Sequence, residues 1–176
     1  VRRYDPVTNT WSKKASMINY PDWKYEHGQS TLDDGTVLVT GGRDAALNTK
    51  TSVYLYDPAT NAWAAKSSLI IAGIYGHAQS TLADGTVLVS GGTPTNNRVL
   101  VYNRVSNQWS SRVPLHSYRY WHAQSTLADG SVLLTGGQSK LVNNATIDLD
   151  YVEQYYPGGT LNTPGRAALL GYLAAN

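Results

Sequence analysis

Three of the four histidines recur at one position of a repeated segment. Each begins a stretch that reads His-(Gly or Ala)-Gln-Ser-Thr-Leu and ends in Gly-Gly; they are His27, His77 and His122. Neutral imidazoles that face a common axis can bind a transition metal or an anion. The alternative is that each histidine packs against the neighbouring repeat and hydrogen-bonds to it, with the glutamine two residues later as a polar companion. The sequence leaves both interpretations open.

Tyr and Trp side chains are concentrated just before these histidines. The members of this group are Tyr20, Trp23, Tyr25, Tyr75, Tyr118, Tyr120 and Trp121. Exposed aromatic rings with few charges around them suit a carbohydrate or a protein partner. We interpret the group as candidate binding residues, while Trp23 and Trp121 could instead pack between repeats.

Catalytic constellations are missing from the 176 residues. The chain has no cysteine, which excludes disulfides, thiol catalysis and cysteine-based metal sites. Glu26 and Glu153 are the only glutamates, and they form no paired-carboxylate pattern. Phosphate-loop and dinucleotide signatures are also absent from the sequence. We therefore predict a protein that is not an enzyme and carries no cofactor.

Charge and hydropathy argue against nucleic acid and membrane as partners. The chain has 14 basic and 12 acidic side chains, a balance too even for a nucleic-acid surface. No apolar run approaches the roughly 20 residues of a membrane-spanning helix. Asn144-Ala-Thr146 forms a glycosylation sequon, and we expect an extracellular or cell-surface location.

A long internal repeat determines the architecture that positions all these residues. The histidine segment returns after 50 residues and again after 45, from 27 to 77 to 122. A second element, Tyr-Asp-Pro-x-Thr-Asn-x-Trp, occupies 4–11 and 56–63, and 102–109 is a diverged copy. Repeats of this length indicate stacked supersecondary units.

Each repeat predicts four antiparallel strands, a to d. In the first complete copy, strand a covers 27–32, strand b 36–40 and strand c 52–56, and strand d lies at Trp63. Asp34-Gly35 is a hairpin signal between a and b, and the Asp-Pro after strand c ends the ladder. Such a meander is a propeller blade. Asp34, Asp84 and Asp129 are accordingly predicted as turn residues rather than catalytic ones.

The predicted organisation is a propeller segment at 1–157 and a C-terminal tail at 158–176. The segment divides into a partial blade at 1–16 and blades at about 27–66, 77–112 and 122–157, with 13 strands in all. Closed propellers have typically four to eight blades. The fold class is therefore an all-β propeller of about three blades that is incomplete or completed by oligomerisation.

The Gly-Gly pairs and the Tyr-Asp-Pro-x-Thr-Asn-x-Trp element resemble kelch repeats. Among kelch proteins, the form Asp-Gly-Thr-Val-Leu-Val-x-Gly-Gly is most similar to the galactose oxidase and glyoxal oxidase group. That resemblance implies a copper ion and a tyrosine cross-linked to a cysteine. The cysteine position falls at Glu26 or His27, and the tyrosine position falls near Tyr75 or Tyr120. Without a cysteine the cross-link cannot form, so the oxidase is the alternative interpretation, as a fragment or an inactive relative.

The preferred prediction is a non-enzymatic binding or structural module. We expect it to assemble with itself through the incomplete blades, as a homodimer or a filament, because exposed strand edges are templates for association. The Tyr/Trp loops would face a protein or carbohydrate partner. The repeat tryptophans Trp11, Trp63 and Trp109 are predicted to be buried between blades and to serve structure rather than binding.

Overall fold

The computed structural model describes residues 1–17, 24–93, 96–140 and 145–157, and every regular element in them is a β-strand. The all-β prediction is confirmed. No helix among these residues is long and apolar enough to cross a membrane. The tail at 158–176 lies outside the described residues.

The chain begins with a two-stranded hairpin and continues into two four-stranded meanders. The hairpin consists of β1 (Arg2–Asp5) and β2 (Thr10–Lys13). The first sheet consists of β3 (Gly28–Thr31), β4 (Val37–Thr40), β5 (Val53–Asp57) and β6 (Ala62–Lys66). The second sheet consists of β7 (Ala78–Thr81), β8 (Val87–Ser90), β9 (Val99–Asn103) and β10 (Gln108–Arg112). Each strand pairs antiparallel with the next, as expected for kelch-type propeller blades.

The third sheet has three strands among the described residues. It consists of β11 (Ala123–Thr126), β12 (Val132–Thr135) and β15 (Val152–Tyr155). The connection between β12 and β15 contains the hairpin β13 (Gln138–Lys140) and β14 (Thr146–Asp148). The described residues therefore hold 15 strands rather than 13.

The a-to-b turns are built by aspartates, as the sequence predicts. Asp34 Oδ1 accepts hydrogen bonds from the Thr36 hydroxyl at 2.6 Å and the Thr36 N–H at 3.1 Å, while Gly35 takes φ 79°. The hydrogen bond from the Thr36 side chain is the main cause of a lowered pKa at Asp34. Asp84 and Asp129 make the same turn contacts.

The second sheet is buried on both faces because its side chains alternate along each strand. Val87 and Val89 pack toward the first sheet, whereas Leu88 between them packs toward the third. Two apolar clusters result, one on each side of the second sheet. Each cluster needs both of its sheets, so a blade buries its apolar surface only by stacking on another.

Candidate functional site

The first and second sheets are joined by a buried polar network at their inner strands. Nε2 of His77 lies 2.8 Å from the Thr40 hydroxyl, which donates to Oε1 of Gln79. Nε2 of Gln79 donates to the Ser30 hydroxyl at 2.9 Å and to the Leu38 carbonyl at 3.1 Å. Because these groups are buried, each needs the partner that the neighbouring sheet supplies.

The second and third sheets repeat this network. Nε2 of His122 lies 2.9 Å from the Ser90 hydroxyl, which donates to Oε1 of Gln124 at 2.6 Å. Nε2 of Gln124 donates to the Ser80 hydroxyl at 2.9 Å and to the Leu88 carbonyl at 3.1 Å. The arrangement is therefore a property of the repeat.

Threonines at the end of strand a add one more bond per junction. The Thr126 hydroxyl donates to the Thr81 carbonyl at 2.7 Å, and the Thr81 hydroxyl donates to the Thr31 carbonyl at 2.6 Å. The His, Gln and Thr of one blade thus bind the hydroxyls and carbonyls of the blade before it.

Burial lowers the pKa of both network histidines to about 3. Desolvation is the largest cause at His77, followed by the charges of His122 and His27. At His122 desolvation is again the largest cause, followed by the charge of Arg119. Both imidazoles are therefore neutral at pH 7 and can accept hydrogen bonds.

The hydrogen-bonding interpretation of the histidines is thus what the structure shows for His77 and His122. No group of three His, Asp or Glu side chains within the described ranges could hold a metal ion. The ring site proposed for His27, His77 and His122 gains no support from the geometry, because the neighbouring blade occupies the Nε2 atoms of two of its members.

His27 belongs to the same repeat position but has no preceding strand a or b beside it among the described residues. It lines a cleft of about 420 Å³ between the N-terminal hairpin and the first sheet. Gln29 and Thr31 line the same cleft and are exposed. We call this surface the leading face; it comprises His27, Gln29, Thr31, Val37 and Val39.

The third sheet presents the opposite surface, which we call the trailing face. It comprises Ser125, Leu133, Thr135 and Val152, which by register are the counterparts of Ser30, Leu38, Thr40 and Val53. Val152 is 56% exposed, whereas Val53 and Val99 at the same repeat position are each 1% exposed. The trailing face is open because no described residue packs on it as a fourth blade.

The outer strands are held by a second contact. Nε1 of Trp109 donates to the Ser67 carbonyl at 2.8 Å, and Oδ1 of Asn107 accepts the Ser67 N–H at 3.0 Å. The Tyr102 hydroxyl donates to the same Asn107 oxygen at 2.9 Å, and its ring packs on Trp109. This Tyr-Asn-Trp anchor binds the backbone that follows strand d of the previous blade.

The first sheet uses the same anchor to hold the N-terminal hairpin. Trp63 and Asn61 bind the carbonyl and the N–H of Ala15 at 3.1 and 3.0 Å. The hairpin therefore sits as the outer half of a blade that precedes the first sheet. Its own anchor, with Asn9 and Trp11, holds no backbone among the described residues.

The prediction that all three repeat tryptophans are buried is correct for Trp109 and wrong for Trp11. Trp109 is 9% exposed, Trp63 is half-buried and Trp11 is 64% exposed. The three share one sequence motif, so the difference comes from the preceding blade, which covers Trp109, whereas no described residue covers Trp11 in this way.

The loop aromatics divide into two groups. Arg43 lies over the rings of Tyr75 at 4.3 Å and Tyr25 at 5.1 Å, and it pairs with Glu26. Tyr118 and Trp121 are exposed, and the Trp121 ring lies so close to Gly76 that an added Cβ there would be 2.6 Å from it. Tyr25 and Tyr75 are thus joined through the Arg43 cation, and Tyr118 and Trp121 offer exposed rings.

Tyr120 is not one of these exposed rings. It is buried beneath Trp121, with ring centroids 4.8 Å apart, so it supports the neighbouring ring instead of offering its own. Tyr20, Trp23 and the sequon residue Asn144 lie outside the described residues.

Sequence reasoning missed two kinds of functional residue. The hydroxyl at the end of strand b (Thr40, Ser90, Thr135) precedes each Gly-Gly pair, and its recurrence was the available signal. The buried Arg119 bonds Glu153 at 2.9 Å and the Gly136 carbonyl at 2.9 Å. No repeat signal marks Arg119, because Lys24 and Ile74 occupy the equivalent positions.

Comparison with known proteins agrees with this architecture. Residues 30–69 match the family model described as Kelch motif. The matched range runs from β3 through β6 and includes one anchor, which supports a kelch-repeat family for the chain. No curated protein matches the sequence.

Proposed function

We propose that this chain is a structural and protein-interaction module that assembles head to tail through its leading and trailing faces. Kelch repeats are consistent with a protein-interaction or structural propeller module. The observation that carries the self-assembly is the contrast between Val152, 56% exposed, and Val53 and Val99, each 1% exposed. An apolar side chain at an otherwise buried position favours association.

A head-to-tail contact between two different faces closes into a ring when the rotation closes, and otherwise continues as a filament. We expect a closed homodimer. Sedimentation velocity over a range of protein concentrations tests this expectation, because it separates monomer, dimer and filament. A particle that stays monomeric at micromolar concentration would contradict the proposal.

The surface around Trp121 is the second part of the proposal. Exposed Tyr118 and Trp121 offer rings to a protein or carbohydrate partner, in the extracellular or cell-surface location that we expect. Tryptophan fluorescence during titration with oligosaccharides checks the carbohydrate case. Trp121→Ala should remove the signal, while Val105→Ala, at a 92% exposed position between β9 and β10, serves as the control.

The oxidase alternative depends on the form of the repeat alone. Measurement of copper content and of peroxide release with galactose and simple aldehydes tests it. Stoichiometric copper with turnover would displace the proposal above in favour of the oxidase.

A further inference from the structure

We propose that the leading face binds the trailing face of a second copy through the same groups that join the blades within one chain. In this contact His27 and Gln29 meet the Thr135 hydroxyl of the second copy, and Gln29 also meets its Ser125 hydroxyl. The inference rests on the proposed self-assembly and specifies its residues.

The two faces carry matching groups because the repeat places them there. Thr135 ends β12 as Thr40 ends β4 and Ser90 ends β8, so all three strands end on a hydroxyl. Ser125 opposes Leu133 across its sheet, as Ser30 opposes Leu38. The trailing face therefore presents the donors and acceptors that His77 and Gln79 bind one blade earlier.

The receiving groups are also the same residue types. His27, Gln29 and Thr31 repeat the types of His77, Gln79 and Thr81. Gln79 is 9% exposed, whereas Gln29 is exposed in the cleft. A second copy would supply the polar partners and would cover half-buried Val37 and exposed Val152, whereas Val39 is already buried.

The outer strands offer a second match between copies. The third sheet has no Trp after Tyr155 to anchor the preceding blade, and Val113, the counterpart of Ser67, is exposed. The hairpin carries an anchor, Asn9 and Trp11, with no backbone to hold among the described residues. Strand β2 of a second copy placed beside β15 would bring this anchor to Val113.

This placement settles a conflict between two strands. Tyr4 of β1 and Tyr155 of β15 occupy the same position of strand c, so only one of the two strands fits a completed blade. Strand β15 is held by the Arg119–Glu153 ion pair and the buried Tyr155, whereas β1 is mostly exposed. Strand β1 is therefore the one that leaves this position of the blade when the copies associate. The described residues of each copy then contribute 12 blade strands, and those of two copies make six blades.

Cross-linking tests the contact directly, since the chain contains no cysteine. Gln29→Cys and Ser125→Cys are prepared as separate proteins, mixed, and treated with a short bis-maleimide. The double variant Ser30→Cys/Gln79→Cys is the matched control, because the Gln79 side chain lies 2.9 Å from the Ser30 hydroxyl within one chain. We expect the mixture to give a covalent dimer in a yield within about twofold of the yield of the intramolecular cross-link in the control. Each single variant alone should give no covalent dimer.

The outcomes separate the two proposals. A dimer in sedimentation without a cross-link between positions 29 and 125 overturns this contact and leaves self-assembly standing. A monomer in sedimentation overturns both. As a second measurement, Leu133→Arg on the trailing face should convert the dimer to monomer. A dimer that persists in this variant, with an unchanged melting temperature, contradicts the contact independently of the cross-linker.

Discussion

The hydroxyl oxygen of Thr40, the last residue of β4, lies 2.8 Å from Nε2 of His77, the residue before β7. The two residues belong to successive blades and are both buried. Their contact shows how a polar network, and not apolar packing alone, sets the alignment of one blade on the next. The four predictions below concern the folded monomer and are measured at concentrations where the chain does not associate.

Thr40→Val should lower the free energy of unfolding by about 1–3 kcal/mol, because it leaves the buried Oε1 of Gln79 without its donor and removes the hydroxyl beside Nε2 of His77. Urea unfolding followed by circular dichroism measures the change. Thr10→Val on the exposed strand β2 is the control and should stay within about 0.5 kcal/mol of the parent chain. Equal effects of the two substitutions would show that the network adds no stability.

Stability should fall as the pH drops below about 6.5. Burial lowers the pKa of His77 and His122 from 6.5 to about 3, so between these values the unfolded chain binds more protons than the folded one. Each histidine then lowers the free energy of unfolding by about 1.4 kcal/mol for every unit by which the pH falls. Melting temperatures between pH 7.5 and about 5.5 test this slope above the range where carboxylates titrate. A chain with His77→Gln and His122→Gln should have a flatter profile.

Trp109→Ala should lower the free energy of unfolding by about 3–5 kcal/mol, as for other buried aromatic side chains. The substitution also removes the hydrogen bond to the Ser67 carbonyl. Trp11→Ala in the same motif should cost below about 1 kcal/mol in the monomer, since the Trp11 ring is 64% exposed. Chemical denaturation of both variants checks the contrast. Similar losses would mean that the hairpin is packed more tightly than the structure shows.

Glu153→Ala should destabilise the monomer by about 3–5 kcal/mol, because it leaves the fully buried guanidinium of Arg119 without its carboxylate. The double variant Arg119→Met/Glu153→Leu should lose less than the single one, since no unpaired charge then stays buried. Thermal unfolding of the single and the double variant compares the two losses of stability. A larger loss in the double variant would assign the stability to the ion pair itself.

The strands and turns were predictable because their causes are local. Asp34-Gly35 forms its hairpin from a carboxylate two residues before its donor, and Val37–Thr40 is an apolar β-branched run that suits a covered strand. The repeat of these signals also predicted stacked blades. The hairpin β13–β14 was not predictable in this way, because it lies outside the repeat.

Only the tertiary structure decided what each copy of a repeated residue does. His27 and His77 stand in nearly identical sequences, yet His77 is buried against Thr40 and His27 lines an open cleft. Trp11 and Trp109 differ in the same way. Burial and hydrogen-bond partners depend on the neighbouring blade, whose bonded residues lie between 32 and 50 positions away in the sequence. The sequence alone therefore determined the blade, and the stacking determined the exposed ends.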